Sequence, residues 1–266
     1  MSRVALVATD LDGTLLDRQT YAFAAARPAL DALRQAAVPL ALCSSKTRAE
    51  MEPLAAAIGS RGPLVVENGG AIVAPDGALL VLGVTRDRLL EALAAVAGEA
   101  GVRVRSFAAM SVAEVAALTG LAVEQAELAM RREYDEPFVV EDPPGRDPAV
   151  DARLDRAARA RGLRVTHGGL LHHLCGPVDK GEAVRAIAGA MSARGDVIGL
   201  GDAANDLPLL LAVTRPIVMP RPDGTVDPAL ATRLRGVERA PGPGPAGWSA
   251  AVLAALAGDS LPRVVA

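Results

Sequence analysis

The sequence predicts an α/β protein, a Rossmann-like core with a parallel sheet, interrupted by an inserted α+β domain. Short apolar runs such as residues 4–9 alternate with helical stretches, and this alternation is typical of parallel β-α-β units. The runs are continuously apolar, as expected for strands that helices cover on both faces. Between residues 84 and 175 the pattern changes to helices mixed with short strands, which indicates the separate α+β unit.

The first part of the chain provides three predicted strands with helices between them. Pro28 lies near the start of the first helix, and Gly59 closes the second. A hairpin that turns at Asp76-Gly77 follows the third strand. The predicted order is strand 4–9, helix 27–37, strand 38–43, helix 48–59, strand 63–68 and hairpin 71–83.

The middle of the chain predicts helices mixed with short strands, and the alternation of strands and helices returns after it. The predicted helices of the middle part are 86–100, 124–132 and 148–162, its strands are 102–107, 136–141, 163–167 and 170–175, and 141–148 is a Pro/Gly-rich loop. The returning pattern gives helix 179–191, strand 196–202, helix 205–213, strand 216–219, loop 241–247 and a last helix around Trp248. We therefore predict a core in two parts, 1–83 and 176–266, with the inserted domain at 84–175.

The composition and charge of the chain argue against some classes of protein. The 266 residues carry 28 Lys and Arg against 31 Asp and Glu, a net charge of −3, so no overall positive field favours nucleic acid or an anionic membrane. No apolar run reaches the roughly 18 residues of a membrane-spanning helix, and the first one lacks a signal-peptide pattern. We expect a cytoplasmic protein without nucleic-acid or membrane partners. Cys43 and Cys175 have no metal-ligand spacing, which favours two small buried thiols.

Polar residues follow the predicted strands at the point where each strand ends. In parallel sheets, ligands bind outside the carboxyl ends of the strands, so we expect these residues to form one site, called here the rim. Lysine occurs only at Lys46 and Lys180, and asparagine only at Asn68 and Asn205, all at or near this edge. The strand-end residues are Asp10, Asp12, Ser44, Ser45, Lys46, Glu67, Asn68, Gly69 and Asp202.

The residue types at the rim favour chemistry on a phosphate. Asp10, Asp12 and Asp202 can together surround a hard cation, and Mg²⁺ prefers carboxylates, waters and a phosphate oxygen. Its charge would offset the repulsion between neighbouring carboxylates. The two serines after the second strand can donate to phosphate oxygens, with Lys180 as a charge clamp. One aspartate can then act as nucleophile and the other as general acid and base.

Four segments, in chain order, resemble the four signatures of the haloacid dehalogenase superfamily of phosphatases. They are DLDGT at 10–14, LCSSK at 42–46, DKG at 179–181 and GDAAND at 201–206. The resemblance implies that Asp10 is the nucleophile and Asp12 the general acid and base. It further implies a Mg²⁺ site of Asp10, the Asp12 carbonyl, Asp202 and Asp206, and a phosphate site of Ser44, Ser45, Lys180 and Asn205.

The position of the insert between the second and third signatures resembles the Cof-like branch, whose α+β cap closes over the rim and selects the substrate. Within that branch, SSKT at 44–47, ENGGAI at 67–72 and RREYDEPF at 131–138 are similar to the mannosyl-3-phosphoglycerate phosphatases. This resemblance implies a phosphorylated sugar-glycerate substrate that is hydrolysed to mannosylglycerate. It places substrate contacts at Lys46, Glu67, Asn68, Gly69, Arg132 and Glu133.

Two alternatives share the same chemistry: a general sugar phosphatase of the Cof-like branch and a sucrose-phosphate phosphatase. The chain departs from the mannosyl-3-phosphoglycerate phosphatase pattern at Leu170-Leu171, where an Arg-Phe pair is common. For the neighbouring His172 and His173, a structural role and a place in the cleft both stay open.

Overall fold

The computed structural model describes residues 4–142, 147–168 and 171–264. Leu170 and residues 143–146 of the predicted Pro/Gly-rich loop lie outside the described residues. The strands are β1 Val4–Thr9, β2 Leu40–Cys43, β3 Leu64–Val66, β4 Ala71–Val73, β5 Leu79–Val81, β6 Arg103–Ser106, β7 Asp135–Asp142, β8 Arg164–Gly168, β9 Leu171–Cys175, β10 Asp196–Gly201, β11 Arg215–Val218 and β12 Glu238–Arg239. The helices are α1 Arg27–Gln35, α2 Arg48–Ile58, α3 Arg86–Ala100, α4 Val112–Thr119, α5 Val123–Ala129, α6 Pro148–Arg159, α7 Lys180–Ala190, α8 Leu207–Leu211, α9 Pro228–Arg233 and α10 Gly244–Ala257.

The larger of the two sheets in the described ranges has eight strands in the order β12-β11-β10-β1-β2-β3-β4-β5. The strands from β12 to β3 pair in parallel, and β4 and β5 add antiparallel pairs at one edge. The predicted Rossmann-like α/β core is therefore confirmed. Because β1 lies between β10 and β2, the carboxyl ends of these three strands meet in the middle of one sheet edge.

Helices cover both faces of this sheet, which explains the continuously apolar strands. One buried cluster packs α1, α2 and α10 against the sheet and contains the fully buried Trp248. The other packs α7, α8 and α9 against the opposite face, with Val184 and Leu209 among its members. Each face thus removes its apolar strand residues from water, which is the main source of stabilisation for such a layered fold.

The predicted hairpin is confirmed as β4 and β5. Gly77 has φ +84° and its N–H donates to the Ala74 carbonyl, a tight turn that needs the left-handed conformation glycine adopts without strain. All three residues of β5, which is the edge strand, are exposed.

The second sheet has four antiparallel strands in the described residues, in the order β6-β7-β9-β8. Its strands and helices α3 to α6 fall within residues 86–175, between β5 and α7 along the chain. Helices α3 and α6 pack on one face around Phe138, while a smaller cluster with Phe107 and Val115 covers the other. The domain division at 83/84 and 175/176 stays a prediction.

Helices α4, α5 and α9 differ from the sequence-based expectation, and α9 at Pro228–Arg233 was not predicted. Helix α4 was not predicted, although Ser111 and Glu114 form a capping box at its start. Helix α5 ends at Ala129 rather than at residue 132, so Arg131 to Tyr134 form a connecting segment that leads into β7. This segment approaches the rim, because hydrogen bonds to Ser45 and Glu67 hold it there.

Both cysteines are buried and unpaired thiols, as predicted. Burial raises the pKa of Cys43 and of Cys175 to about 12, so neither is a reactive thiolate near neutral pH. None of the helices in the described part of the chain has the length and apolar character that crossing a membrane requires.

Candidate active site at the rim

The loop after β1 brings Asp10 and Asp12 to the centre of the rim. The Asp10 N–H donates to the Leu200 carbonyl of β10 at 2.9 Å, so this residue still follows the sheet. The chain then turns sharply at Gly13, whose φ is +88°. A side chain at that position would press against the Asp202 carboxylate, which is why the turn takes glycine.

Lys180 joins two buried aspartates. Its Nζ lies 2.6 Å from Asp10 Oδ1 and 2.7 Å from Asp206 Oδ1, and its side chain is fully buried. Burial disfavours the charge of Lys180, but Asp10 and Asp206 outweigh burial and raise the pKa of the ammonium group. Burial also raises the pKa of the Asp10 carboxyl, the charge of Asp206 adds to that effect, and Lys180 opposes both. The predicted nucleophile and phosphate-binding lysine are thus direct partners.

Asp206 fixes the loop that carries Asp202. Its Oδ2 accepts the main-chain N–H groups of Asp202 at 3.0 Å and Ala203 at 3.1 Å, and its Oδ1 accepts from Lys180. Both oxygens of Asp206 therefore have donors within the protein, and the residue holds the loop and the lysine in place.

Asp202 faces the loop after β1. Thr14 Oγ1 donates to its Oδ1 at 3.3 Å, and the half-exposed Arg18 pairs with its Oδ2. Burial raises the pKa of Asp202, the charge of Asp206 adds to this, and Arg18 lowers it. Arg18 was not identified from the sequence, since it follows the DLDGT motif with no signal of its own.

The carboxylates of Asp10, Asp202 and Asp206 each offer an oxygen, and these three atoms lie within 4.8 Å of one another. Burial, and after it the charge of Asp206, raise the pKa of both Asp10 and Asp202. All three donors are hard oxygens, and such a set fits a divalent cation of the Mg²⁺ type.

Asp12 lies on the open side of the rim. Its Oδ2 is 2.9 Å from the Lys46 ammonium, while its Oδ1 is buried and has no hydrogen-bond partner among the described residues. Burial disfavours the charge of Lys46, but Asp12 outweighs it and raises the pKa of the lysine. The side chain of Asp12 is one third exposed, so water or a ligand can reach it.

Ser44 and Ser45 leave β2 and lead into α2. The buried Ser44 Oγ accepts the Lys46 N–H at 3.2 Å, and the Ser44 carbonyl accepts the Asn68 N–H at 2.9 Å. Thr47 caps α2 in a capping box with Glu50, which directs the N-terminal end of the helix towards the rim. The structure therefore places the predicted phosphate-binding serines at a helix start, where anions are favoured.

The residues after β3 adopt left-handed conformations. The φ angles are +49° at Glu67, +56° at Asn68 and +104° at Gly69. A side chain at Gly69 would collide with the main chain of Asp179, so this turn packs directly against the start of α7. Asn205 Nδ2 reaches Asn68 Oδ1 at 3.5 Å, which brings the two asparagines of the chain together.

The Glu67 carboxylate connects the core to the segment before β7. Its Oε1 and Oε2 accept the main-chain N–H groups of Glu133 and Tyr134, both at 2.9 Å. Burial raises the pKa of Glu67 to about 7, although Arg132 lowers it. Both carboxylate oxygens of Glu67 thus bind the main chain, and its predicted contact with substrate stays a prediction.

Arg132 and Glu133 lie at the rim, where both bind other residues of the protein. Arg132 donates from Nη1 to the Ser45 carbonyl at 2.7 Å and from Nε to the Ala129 carbonyl at 2.8 Å. Glu133 pairs with Arg48 at 3.0 Å. Their predicted role in substrate binding stays a prediction, but both lie where the inserted segment meets the rim.

The two histidines of LLHH point to opposite faces of the second sheet. His173 Nδ1 lies 2.7 Å from Asp135 Oδ2, beside Arg132, whose Nη1 is 3.4 Å from the same oxygen. His172 Nε2 lies 2.8 Å from Asp151 Oδ1 on the side of α6.

Comparison with known proteins agrees with this geometry. Residues 7–129 match the family described as haloacid dehalogenase-like hydrolase. A glucosyl-3-phosphoglycerate/mannosyl-3-phosphoglycerate phosphatase of Methanococcoides burtonii is 36% identical, with 93% of this chain and 96% of the relative covered. A protein of the same name from Persephonella marina is 32% identical, with 93% and 95% covered.

The fold is shared with a solved phosphatase of the haloalkanoate (HAD) superfamily, BT1666 from Bacteroides thetaiotaomicron. The TM-score is 0.63 at 16% identity, and the comparison covers 82% of this chain and 84% of the other. At this identity the likeness concerns the fold alone.

Proposed function

Since this chain belongs to the haloacid dehalogenase-like hydrolase family and is a phosphatase, we propose that it is a Mg²⁺-dependent phosphomonoester hydrolase acting on mannosyl-3-phosphoglycerate. The products are mannosylglycerate and phosphate. The observation that supports this chemistry is the buried Asp10–Lys180–Asp206 contact, with Asp12 two residues beyond Asp10. The names of the two relatives support the substrate and add glucosyl-3-phosphoglycerate as a second one.

The reaction begins with attack of an Asp10 carboxylate oxygen on phosphorus. The bond between phosphorus and the glycerate oxygen breaks, and Asp12 gives its proton to that oxygen, which leaves as an alcohol. The result is an aspartyl phosphate on Asp10 and a deprotonated Asp12. Asp12 then takes a proton from water, whose oxygen attacks phosphorus and restores the Asp10 carboxylate.

The residues around Asp10 provide charge neutralisation and position. Lys180, Ser44, Ser45 and Asn205 bind the phosphate oxygens in this proposal, while Asp10, the Asp12 carbonyl and Asp202 hold Mg²⁺ with Asp206 in support. When bound, the cation neutralises charge on the phosphoryl group. Such transfers depend mainly on positioning and electrostatics. The buried and unpaired Asp12 Oδ1 is a polar atom that a ligand at the rim would satisfy.

Substrate selection is proposed to depend on the inserted unit, residues 84–175, which acts as a cap. Its segment with Arg132 and Glu133 contacts Ser45, Arg48 and Glu67 at the rim. An arginine suits the carboxylate of the glycerate group because its guanidinium forms paired, charge-assisted hydrogen bonds. Lys46, Asn68 and Gly69 would complete the contacts from the core side.

A substrate panel tests this proposal. The enzyme is assayed for phosphate release from mannosyl-3-phosphoglycerate, glucosyl-3-phosphoglycerate, hexose 6-phosphates and sucrose phosphate, with and without Mg²⁺. We expect the highest kcat/KM for a glycosyl-3-phosphoglycerate. A higher value for hexose phosphates or sucrose phosphate would instead support the general sugar phosphatase or the sucrose-phosphate phosphatase.

A further inference from the structure

Two of the three histidines of the chain and one aspartate form a cluster away from the rim. His172 Nε2 lies 2.8 Å from Asp151 Oδ1, and His167 Nε2 lies 3.6 Å from Asp151 Oδ2. One ligand atom from each residue can be chosen so that all three lie within 4.8 Å of one another. The cluster contains no residue that the proposed phosphatase chemistry uses.

The fold brings these residues together by strand register and helix placement. His167 of β8 and His172 of β9 are directly opposite in the antiparallel ladder, so both side chains project from the same face. Their rings are 4.8 Å apart and nearly perpendicular. Asp151 belongs to the first turn of α6, which packs on that face. His173, the next residue along β9, points to the other face and contacts Asp135.

His172 is a polar side chain in apolar surroundings. It is 6% exposed and stacks on Phe138 with ring centroids 5.2 Å apart, and Phe138 belongs to the core between the second sheet and helices α3 and α6. Its Nδ1 is buried and has no hydrogen-bond partner within the described ranges. Burying a polar imidazole among apolar side chains costs free energy that an apolar residue would not cost, so packing alone does not explain a histidine whose Nε2 faces Asp151.

We propose that Asp151, His167 and His172 bind a divalent transition-metal ion, for which Zn²⁺ is the best fit. Ligands of tetrahedral zinc at about 2.0–2.2 Å from the ion lie about 3.3–3.6 Å from one another. The distances to the Asp151 carboxylate, 2.8 Å from its Oδ1 to His172 and 3.6 Å from its Oδ2 to His167, are close to that range. The ion binds His172 Nε2 in place of the hydrogen bond to Asp151 Oδ1, and the neutral imidazole then carries its proton on Nδ1. Two imidazoles and one carboxylate suit zinc better than Mg²⁺.

The location assigns the ion a structural role. It joins the start of α6 to the β8–β9 pair, and the side chain of His167, 27% exposed, leaves a path for the ion and for a water as the fourth ligand. The core between α6 and the second sheet would then be held by a metal as well as by apolar contacts.

Zinc titration of the full-length protein tests this proposal. The protein is treated with a chelator, Mg²⁺ is added in excess for the rim carboxylates, and Zn²⁺ binding is followed by calorimetry together with the melting temperature. We compare the wild type with His167→Gln and with His173→Gln as the matched control. All three proteins keep the rim carboxylates, so zinc that binds there cancels in the comparison.

We expect the wild type and His173→Gln to bind Zn²⁺ at one site. In His167→Gln this site should be absent, or its affinity for Zn²⁺ should be at least about tenfold lower. The melting temperature should rise with zinc only where this site is intact, and Co²⁺ should give the visible absorption of a tetrahedral site. If His167→Gln does not fold, Asp151→Asn provides the same comparison. Equal zinc affinity and stoichiometry in the wild type and the folded variant would overturn the proposal.

Discussion

The Arg132 guanidinium donates to the main-chain carbonyl of Ser45 at 2.7 Å, across 87 residues of sequence. This hydrogen bond ties the segment before β7 to the residue that follows the buried Ser44 at the end of β2. The side chain of Arg132 is 8% exposed, so water competes little for the bond. The position of the inserted unit over the rim therefore depends on this arginine as well as on Glu67.

Replacing Arg132 by lysine should reduce catalytic efficiency. A single ammonium group cannot serve the Ser45 and Ala129 carbonyls together in the geometry of the guanidinium. A hydrogen bond to a charged group contributes about 1.5–3 kcal/mol, so we expect kcat/KM to fall about tenfold or more, mainly through KM. Arg131→Lys is the control, because Arg131 is exposed and pairs with Glu127. Equal kinetics in both variants would exclude a positioning role for Arg132.

Replacing Asp10 by asparagine should abolish turnover. The amide is a poor nucleophile, so we expect kcat to fall by about 10³-fold or more, in the range seen for the loss of catalytic nucleophiles. The change also leaves Lys180 with one anionic partner instead of two, and the melting temperature is measured to exclude unfolding. Asp31→Asn, on the exposed face of α1, should keep full activity. Substantial turnover by folded Asp10→Asn would remove the nucleophile assignment.

Asp12→Asn should separate the two half-reactions. An aryl phosphate has a leaving group that needs little protonation, so Asp10 should still be phosphorylated, whereas the water step lacks its base. We expect a burst of about one phenolate per active site, followed by slow turnover, in a rapid-mixing experiment. Steady release at the wild-type rate without a burst would contradict the role of Asp12.

Removal of divalent cations should abolish activity. Asp10, Asp202 and Asp206 crowd their oxygens within 4.8 Å, and a cation relieves that repulsion. We expect activity to disappear after exhaustive chelation and to return with Mg²⁺, and Asp202→Asn to need at least about tenfold more Mg²⁺ for half-maximal activity. Undiminished activity of the chelated enzyme would contradict the proposed metal site.

The central part of the rim was predictable because it follows from strand topology. Parallel strands in the middle of a sheet end at one edge, so Asp10, Ser44 and Asp202 had to meet once their strands were identified. Lys180 follows from the same logic, since it is the first residue of α7, a helix that covers one face of this sheet.

Contacts formed by long side chains could not be predicted in the same way. The Arg18–Asp202 pair and the Glu67–Tyr134 hydrogen bond join residues 184 and 67 positions apart. Both depend on side-chain rotamers, and the second also depends on the close approach of the two sheets. The sequence pattern reports which face a residue occupies, but not which distant main-chain group its side chain reaches. For that reason the position of Glu67 at a strand end could not predict its hydrogen bonds to the main-chain N–H groups of Glu133 and Tyr134.

Glu67 should make stability depend on pH. Its pKa is raised from 4.5 to about 7 in the folded protein by burial, so the contribution to stability is fully present below pH 4.5 and is lost as the pH rises through 7. Glu67→Gln has no titrating group at this position. The amide has one acceptor oxygen, so the variant loses one of the two hydrogen bonds, and this loss is the same at every pH.

The difference in unfolding free energy between the wild type and Glu67→Gln should therefore change by about 2.5 kcal/mol, to the disadvantage of the wild type, between pH 5 and pH 8. Denaturant unfolding of both proteins at the two pH values measures it, and other titrating groups cancel in the comparison. If the difference in unfolding free energy did not change with pH, Glu67 would titrate with its ordinary pKa in the folded protein. In that case its hydrogen bonds to the N–H groups of Glu133 and Tyr134 would fully offset its burial.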